Sequence, residues 1–190
     1  MFRRGFKTWA EQSSARVRQK LKLPSSAPLD PAKLAELLGV FIVGPDELAD
    51  LAPEVRQRLL NDHEDNWSAI TVGDGQSHMI VVNSSHPKSR TNSNLAHELA
   101  HIILGHDPSM MFISPNSGVA LRTHNEEQEE EANWLAGALL LPREALLAIR
   151  RRRLSDDQAC QEYGVSPPML RFRFNVTGVD VQLRRFQQRG

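Results

Sequence analysis

The chain has 190 residues, 40% apolar and 24% charged, with a formal net charge of zero, the composition of one soluble domain with a real core, alone or with a small appendage. Cys160 is the sole cysteine, which excludes an internal disulfide, and no uninterrupted apolar stretch approaches the ~20 residues of a membrane span. The charge is unevenly placed: residues 1–60 carry ten Lys/Arg against seven Asp/Glu, residues 61–142 three against eleven, and residues 143–190 ten against five. The start, MFRRGFKTWAEQ, is charged and has no apolar signal core. A cytosolic protein with a reduced thiol and no membrane anchor is expected.

In chain order, residues 8–22 read as a helix with Trp9, Val17 and Leu21 near one face. LPSSAP (23–28) breaks it. Asp30-Pro31 caps a helix over 31–38 that Gly39 ends, and VFIV (40–43) is a short strand. Two helical turns are expected at 45–50 and 53–60, each near a proline. WSAITV (67–72) and HMIVVN (78–83) are strand-like, and GDGQ (73–76) between them carries hairpin chemistry. SSHPKSRTNS (84–93) reads as a polar loop, with Asn92 or Ser93 capping a helix over 94–105. Residues 107–125 form a long connection expected to be functional. Its apolar group Met110, Met111, Phe112 and Ile113 is expected to border a cleft or, equally well, to fill core. A helix over 125–141 stops at Pro142. Helices at 143–152, 155–162 and 166–174 complete the pattern, which is α+β overall.

The chemistry lies in NLAHELAHIILGH (94–106). Side chains four apart on a helix stand about 40° apart, one turn along. His97 and His101 can therefore aim imidazole nitrogens at one point, with Glu98 to the side. Neutral histidines in this H-E-x-x-H spacing suit zinc with a position open for water, whose pKa falls toward ~7. Glu98 is placed as the general base. A buried Glu without a partner costs several kcal/mol, so a cation explains why an apolar helix keeps these residues.

A catalytic zinc site needs a third protein ligand. His106, five residues past His101, would lie about 140° round a continued helix. HNEEQEEEANWLAGALLLP (124–142) is the better source. Ala132, Leu135, Ala136, Leu139 and Leu140 form an apolar stripe that, continued backward, reaches Glu129. Glu130 is the alternative, while Glu126, Glu127 and Glu131 read as solvated acidic positions near the positive helix end. Asn133, one turn after Glu129, is a candidate hydrogen-bond partner for a ligand imidazole or for Glu129. For a group facing a tetrahedral oxyanion the candidates are His124, His106 and Tyr163, with none singled out.

NLAHELAHIILGH followed by EEEANWLAGALLLP resembles the ImmA/IrrE family of metallopeptidases, as does the strand ending IVVN before the active helix. The resemblance covers about residues 67–145. It implies a zincin-like fold, with a small sheet beside the active-site helix and a helical C-terminal appendage. It implies His97, His101 and Glu129 as zinc ligands, with Mn²⁺ or another divalent ion able to substitute, and Glu98 as base. It also implies a protein substrate: a helix-turn-helix repressor, often encoded beside the peptidase, whose limited cleavage releases the genes it represses, as in transcriptional stress responses. The acidic middle should attract a basic segment of such a substrate.

The expected division is an N-terminal helical region (1–60), a catalytic core (61–145) and a basic helical tail (146–190). CQEYGVSPPMLRFRF (160–174) resembles a helix-turn-helix. Val165, Leu170 and Phe174 are expected to face inward, Arg171 and Arg173 outward. Docking or structure is the favoured role over DNA contact, since the second helix starts without the polar side chains that read base edges. The competing functional reading is a regulator that keeps the fold and binds a partner protein or DNA without cleavage. Glu98 speaks for the enzyme, because metal binding alone does not need a base. A purely structural zinc site, the weakest reading, would close with four ligands.

Overall fold

The computed structural model describes residues 2–48, 67–73, 78–106, 112–113, 120–121 and 125–187. Helix α1 spans Phe6–Lys20. Helix α2, Pro31–Leu38, forms where its punctuation predicts: the Asp30 carboxylate accepts the Ala32 N–H, Pro31 opens the first turn, and Gly39 closes it in the left-handed region. Strand β1, Val40–Val43, follows at once. Strands β2 (Ala69–Gly73) and β3 (His78–Val82) pair antiparallel, from Ala69 opposite Val82 to Gly73 opposite His78. β1 lies parallel on the other edge of β3, giving the order β1-β3-β2. Pro45–Glu47 form a turn; the expected turn at 53–60 and the hairpin connection 74–77 lie outside the described residues.

Helix α3 runs Lys88–Leu104 and so begins well before the expected residue 94. Neither Asn92 nor Ser93 caps it. The Ser93 hydroxyl donates back to the Ser89 carbonyl and the Asn92 amide reaches across to the Gly164 carbonyl. A tertiary contact has kept polar residues helical that local propensity would place in a loop or cap. Within the expected 107–125 loop, β4 (Phe112–Ile113) and β5 (Ala120–Leu121) form a two-residue antiparallel ladder. Met110, Met111 and the side chains of Phe112 and Ile113 lie outside the described residues.

Helix α4, Glu126–Leu140, starts at Asn125, whose side chain accepts the Glu127 and Gln128 N–H groups. Its second half is buried all round rather than along a stripe: Trp134, Gly137 and Ala138 are enclosed together with the predicted Leu135, Ala136, Leu139 and Leu140. The cause is packing on several sides, by α1, by α3 and by α7 below. A Cβ on Gly137 would come 2.9 Å from Arg173 Cδ, so only glycine admits that approach.

After Pro142 come α5 (Arg143–Arg151), α6 (Asp156–Tyr163) and α7 (Pro167–Thr177). Ser155 and Gln158 form a reciprocal capping box at α6, Gly164 ends it left-handed, and Ser166 caps α7. A further helix, α8 (Val179–Gln187), extends past the expected end at 174. Asp180 holds it to α5 through a two-pronged bond from Arg150, at 2.7 and 3.0 Å. Leu170, Phe174 and Val165 face inward as expected, and Arg171 faces out. Arg173 does not: it is fully buried, donating to the Leu141 carbonyl at 2.9 Å and to the Glu11 carboxylate. Helical spacing alone put it outside, but α7 is covered on that side by α1 and the end of α4. Among the described residues no single helix is long and apolar enough to cross a membrane.

Candidate metal centre

The last turns of α3 and the first turn of α4 meet at one point. His97 Nε2 and His101 Nε2 are 3.1 Å apart. Glu129 completes the triangle, with Oε2 3.3 Å from His97 Nε2 and Oε1 3.5 Å from His101 Nε2. All three side chains are partly exposed, between 15% and 24%. The edge of a tetrahedron with metal–ligand bonds of ~2.0–2.1 Å is about 3.3 Å, close to the His97–His101 spacing and to each histidine's approach to its nearer Glu129 oxygen, and one donor atom from each of the three residues lies within 4.8 Å of the other two. Two imidazoles and one carboxylate are a donor set that suits zinc and admits other divalent ions. Among the described residues no other trio of His, Cys, Asp or Glu donors converges in this way. Glu126, Glu127 and Glu130 are exposed, so Glu129, not its alternative Glu130, stands with the histidines.

Glu98 follows His97 on α3, about 100° round the helix. It is 8% exposed and accepts a 2.5 Å hydrogen bond from the Thr71 hydroxyl. Thr71 lies on β2, an edge strand packed beside α3, on the same face as buried Ala69. The sequence pattern missed Thr71. The signal was there in the period-two alternation of Ala69 and Thr71, which sets one hydroxyl on an otherwise apolar strand face.

Asn133 sits one turn after Glu129 and is exposed; among the described residues its side chain makes no hydrogen bond to His97, His101 or Glu129. Of the three oxyanion candidates, Tyr163 is buried and spends its hydroxyl on the Ser26 carbonyl at 2.9 Å. His124 lies outside the described residues. His106 turns back against the outer side of His101, its Nδ1 3.0 Å from His101 Nδ1 and its Nε2 3.4 Å from Glu131 Oε2.

A helix bearing H-E-x-x-H, a small mixed sheet at its flank and a glutamate from the next helix define a metallopeptidase-like centre. Residues 55–175, well over half of the chain, match the model of the IrrE N-terminal-like domain, Peptidase M78. The chain belongs to that family, which implies a divalent metal. Among solved structures it is similar to one described as a Mycobacterium tuberculosis transcriptional regulator, with a TM-score of 0.54 and 19% identity. That alignment covers 88% of this chain and 46% of the other; the likeness is one of fold, and this chain spans less than half of that protein's length. No curated protein matches the sequence.

Proposed function

We propose that this protein is a zinc-dependent endopeptidase that makes one or a few cuts in a specific cytosolic partner, a helix-turn-helix transcriptional repressor. The observation that carries the reading is the convergence of His97, His101 and Glu129 beside a glutamate that Thr71 holds in place. A zinc ion held by the three ligands would supply Lewis acidity and lower the pKa of water at the site. Glu98 takes a proton from that water at its carboxylate and delivers it to the departing amine. The Thr71 hydroxyl, bonded to one carboxylate oxygen, helps to hold Glu98 in place beside the ligands.

The charge distribution supports a basic substrate segment, because the stretch 61–142 that carries the site holds eleven Asp/Glu against three Lys/Arg and DNA-binding proteins are rich in Lys and Arg. The similarity to a chain described as a transcriptional regulator supports a role in transcription control by analogy of fold. The working division remains an N-terminal helical region (1–60), a catalytic core (61–145) and a helical tail (146–190). Part-buried contacts of Glu11 with Arg173 and with the Arg143 N–H cross both boundaries, so the parts are built to fold together. We assign the tail to docking of the partner rather than to DNA. Arg173 is spent in the core, and the start of α7 exposes Pro167 and Pro168 rather than base-reading side chains.

The test incubates zinc-loaded protein, and its Glu98→Gln variant, with the repressor encoded next to it and with casein, mapping fragments by mass spectrometry. Discrete cuts in the repressor by the wild type, none by Glu98→Gln, and little loss of casein are expected. Rapid casein digestion with the repressor intact would overturn the specificity. Binding of the repressor without any cleavage would favour the non-proteolytic regulator.

A further inference from the structure

The end of α3 carries a second pair of histidines whose geometry serves no purpose described so far. Gly105 terminates the helix in the left-handed region at φ 66°. Its N–H bonds to the Ile102 carbonyl and the His106 N–H bonds to the carbonyl of His101 itself. In this helix ending the residue after the glycine is brought beside the residue five before it, a contact commonly made by two apolar side chains. Here the pair is His101 and His106. Their rings are 5.0 Å apart, centre to centre, at 67°, with the two Nδ1 atoms at 3.0 Å. The far nitrogen of His106 reaches Glu131 Oε2 at 3.4 Å, and the His106 side chain is only 7% exposed. On the other oxygen of Glu131 sits the Arg3 guanidinium, at 3.7 Å.

The geometry points to His106 and Glu131 as positioning residues that fix the tautomer and ring orientation of His101. The inference rests on the metal-site reading above. If His101 ligates through Nε2, that atom offers a lone pair and the ring proton sits on Nδ1. Nδ1–H then donates to His106 Nδ1, which must be the acceptor. The His106 proton is thereby placed on Nε2, where the Glu131 carboxylate accepts it. Each proton position follows from the one before, and the chain ends on a group that can only accept. Glu131 is thus set apart from its neighbours Glu127 and Glu130, which are exposed. Among the described residues the helix ending gives His97 no such partner, since it lies one turn further from Gly105.

The direct test is imidazole ¹⁵N NMR of the zinc-loaded, full-length wild type. It should show His101 protonated on Nδ1 and His106 protonated on Nε2 only. His106 protonated on Nδ1 would overturn the inference. Zinc affinity, measured by competition with a chromophoric chelator, gives the second readout. His106→Phe keeps the ring volume and removes the acceptor, and should weaken zinc binding about tenfold to a hundredfold. His106→Asn, whose amide oxygen can take the place of Nδ1, should recover most of that loss. Equal zinc affinity for wild type, His106→Phe and His106→Asn would overturn the inference while leaving the metal site standing. Should His106→Phe fail to fold, the NMR assignment and the His106→Asn affinity still decide the matter. A wild type that binds no zinc would remove both the metal site and the chain behind it.

Discussion

Helix α4 has a polar cluster at each end, and the two differ in kind. At its C-terminal end, Arg173 is fully buried and is met by the Leu141 carbonyl and the Glu11 carboxylate, which also accepts the Arg143 N–H at 2.9 Å. Burial lowers the Arg173 pKa, and the nearby Glu11 charge opposes that shift. One carboxylate and one carbonyl meet two of the three guanidinium nitrogens from within the fold, so this cluster is a staple joining α1, α4, α5 and α7. At the N-terminal end, two imidazole nitrogens and a carboxylate point at one another across 3.1–3.5 Å. Each of the three side chains can offer one electron-pair donor toward a shared centre, and all three stay partly open to solvent. A cluster that answers its own charges holds the fold together, whereas one that collects lone pairs is arranged for a cation.

The largest expected effect breaks the open cluster. His97→Ala or His101→Ala should abolish stoichiometric zinc binding, measured by metal analysis after dialysis, with the fold retained by circular dichroism. Glu129→Ala should weaken binding far more than Glu126→Ala or Glu127→Ala. Equal losses across the three glutamates would reduce the site to a diffuse acidic patch.

The closed cluster should answer in stability instead. Glu11→Ala leaves Arg173 buried without its carboxylate, a class of change that costs about 3–5 kcal/mol. At ~2–4 °C per kcal/mol for a chain of this size, the melting temperature of the metal-free protein should fall by on the order of 10 °C. The double change Glu11→Leu with Arg173→Met should cost less than Glu11→Ala alone, because no buried charge is stranded. A harmless Glu11→Ala would erase the contrast between the two ends.

Thr71→Val sharpens the contrast within the open end. Zinc affinity should stay at the wild-type level while kcat falls about tenfold or more, as a hydrogen bond to a charged group is worth ~1.5–3 kcal/mol. A change confined to KM would make Thr71 a substrate contact.

The smallest effect is at Asp180. The Arg150 hydrogen bond holds its carboxyl below the ordinary range. The pair therefore contributes stability above the unfolded pKa of about 4, and that contribution is lost as pH falls through the depressed folded value. Asp180→Asn should cost at most about 1 kcal/mol at neutral pH, since the pair is part-exposed. The difference in melting temperature should shrink on acidification; one that grows would reverse the sign.

Some of this was legible in the chain itself. Asp30, Pro31 and Gly39 bracket α2 residue for residue, and Asn125 marks the start of α4, because caps and turn residues act on the backbone next to them. The spacing of His97 and His101 points to the candidate centre, because helix geometry converts a sequence interval into an angle. The stripe ending at Ala132 and Leu135 points back to Glu129 for the same reason. What no interval encodes came from packing. Thr71 meets Glu98 only once β2 lies against α3, and Asn92 stays helical only with the Gly164 carbonyl beside it. Arg173 is internal because α1 and α4 close over it. His106, placed off the site by a continued helix, returns to His101 because Gly105 reverses the chain there. Local rules fix angles along one element, and only the meeting of elements decides which side chains are enclosed and which are left to act.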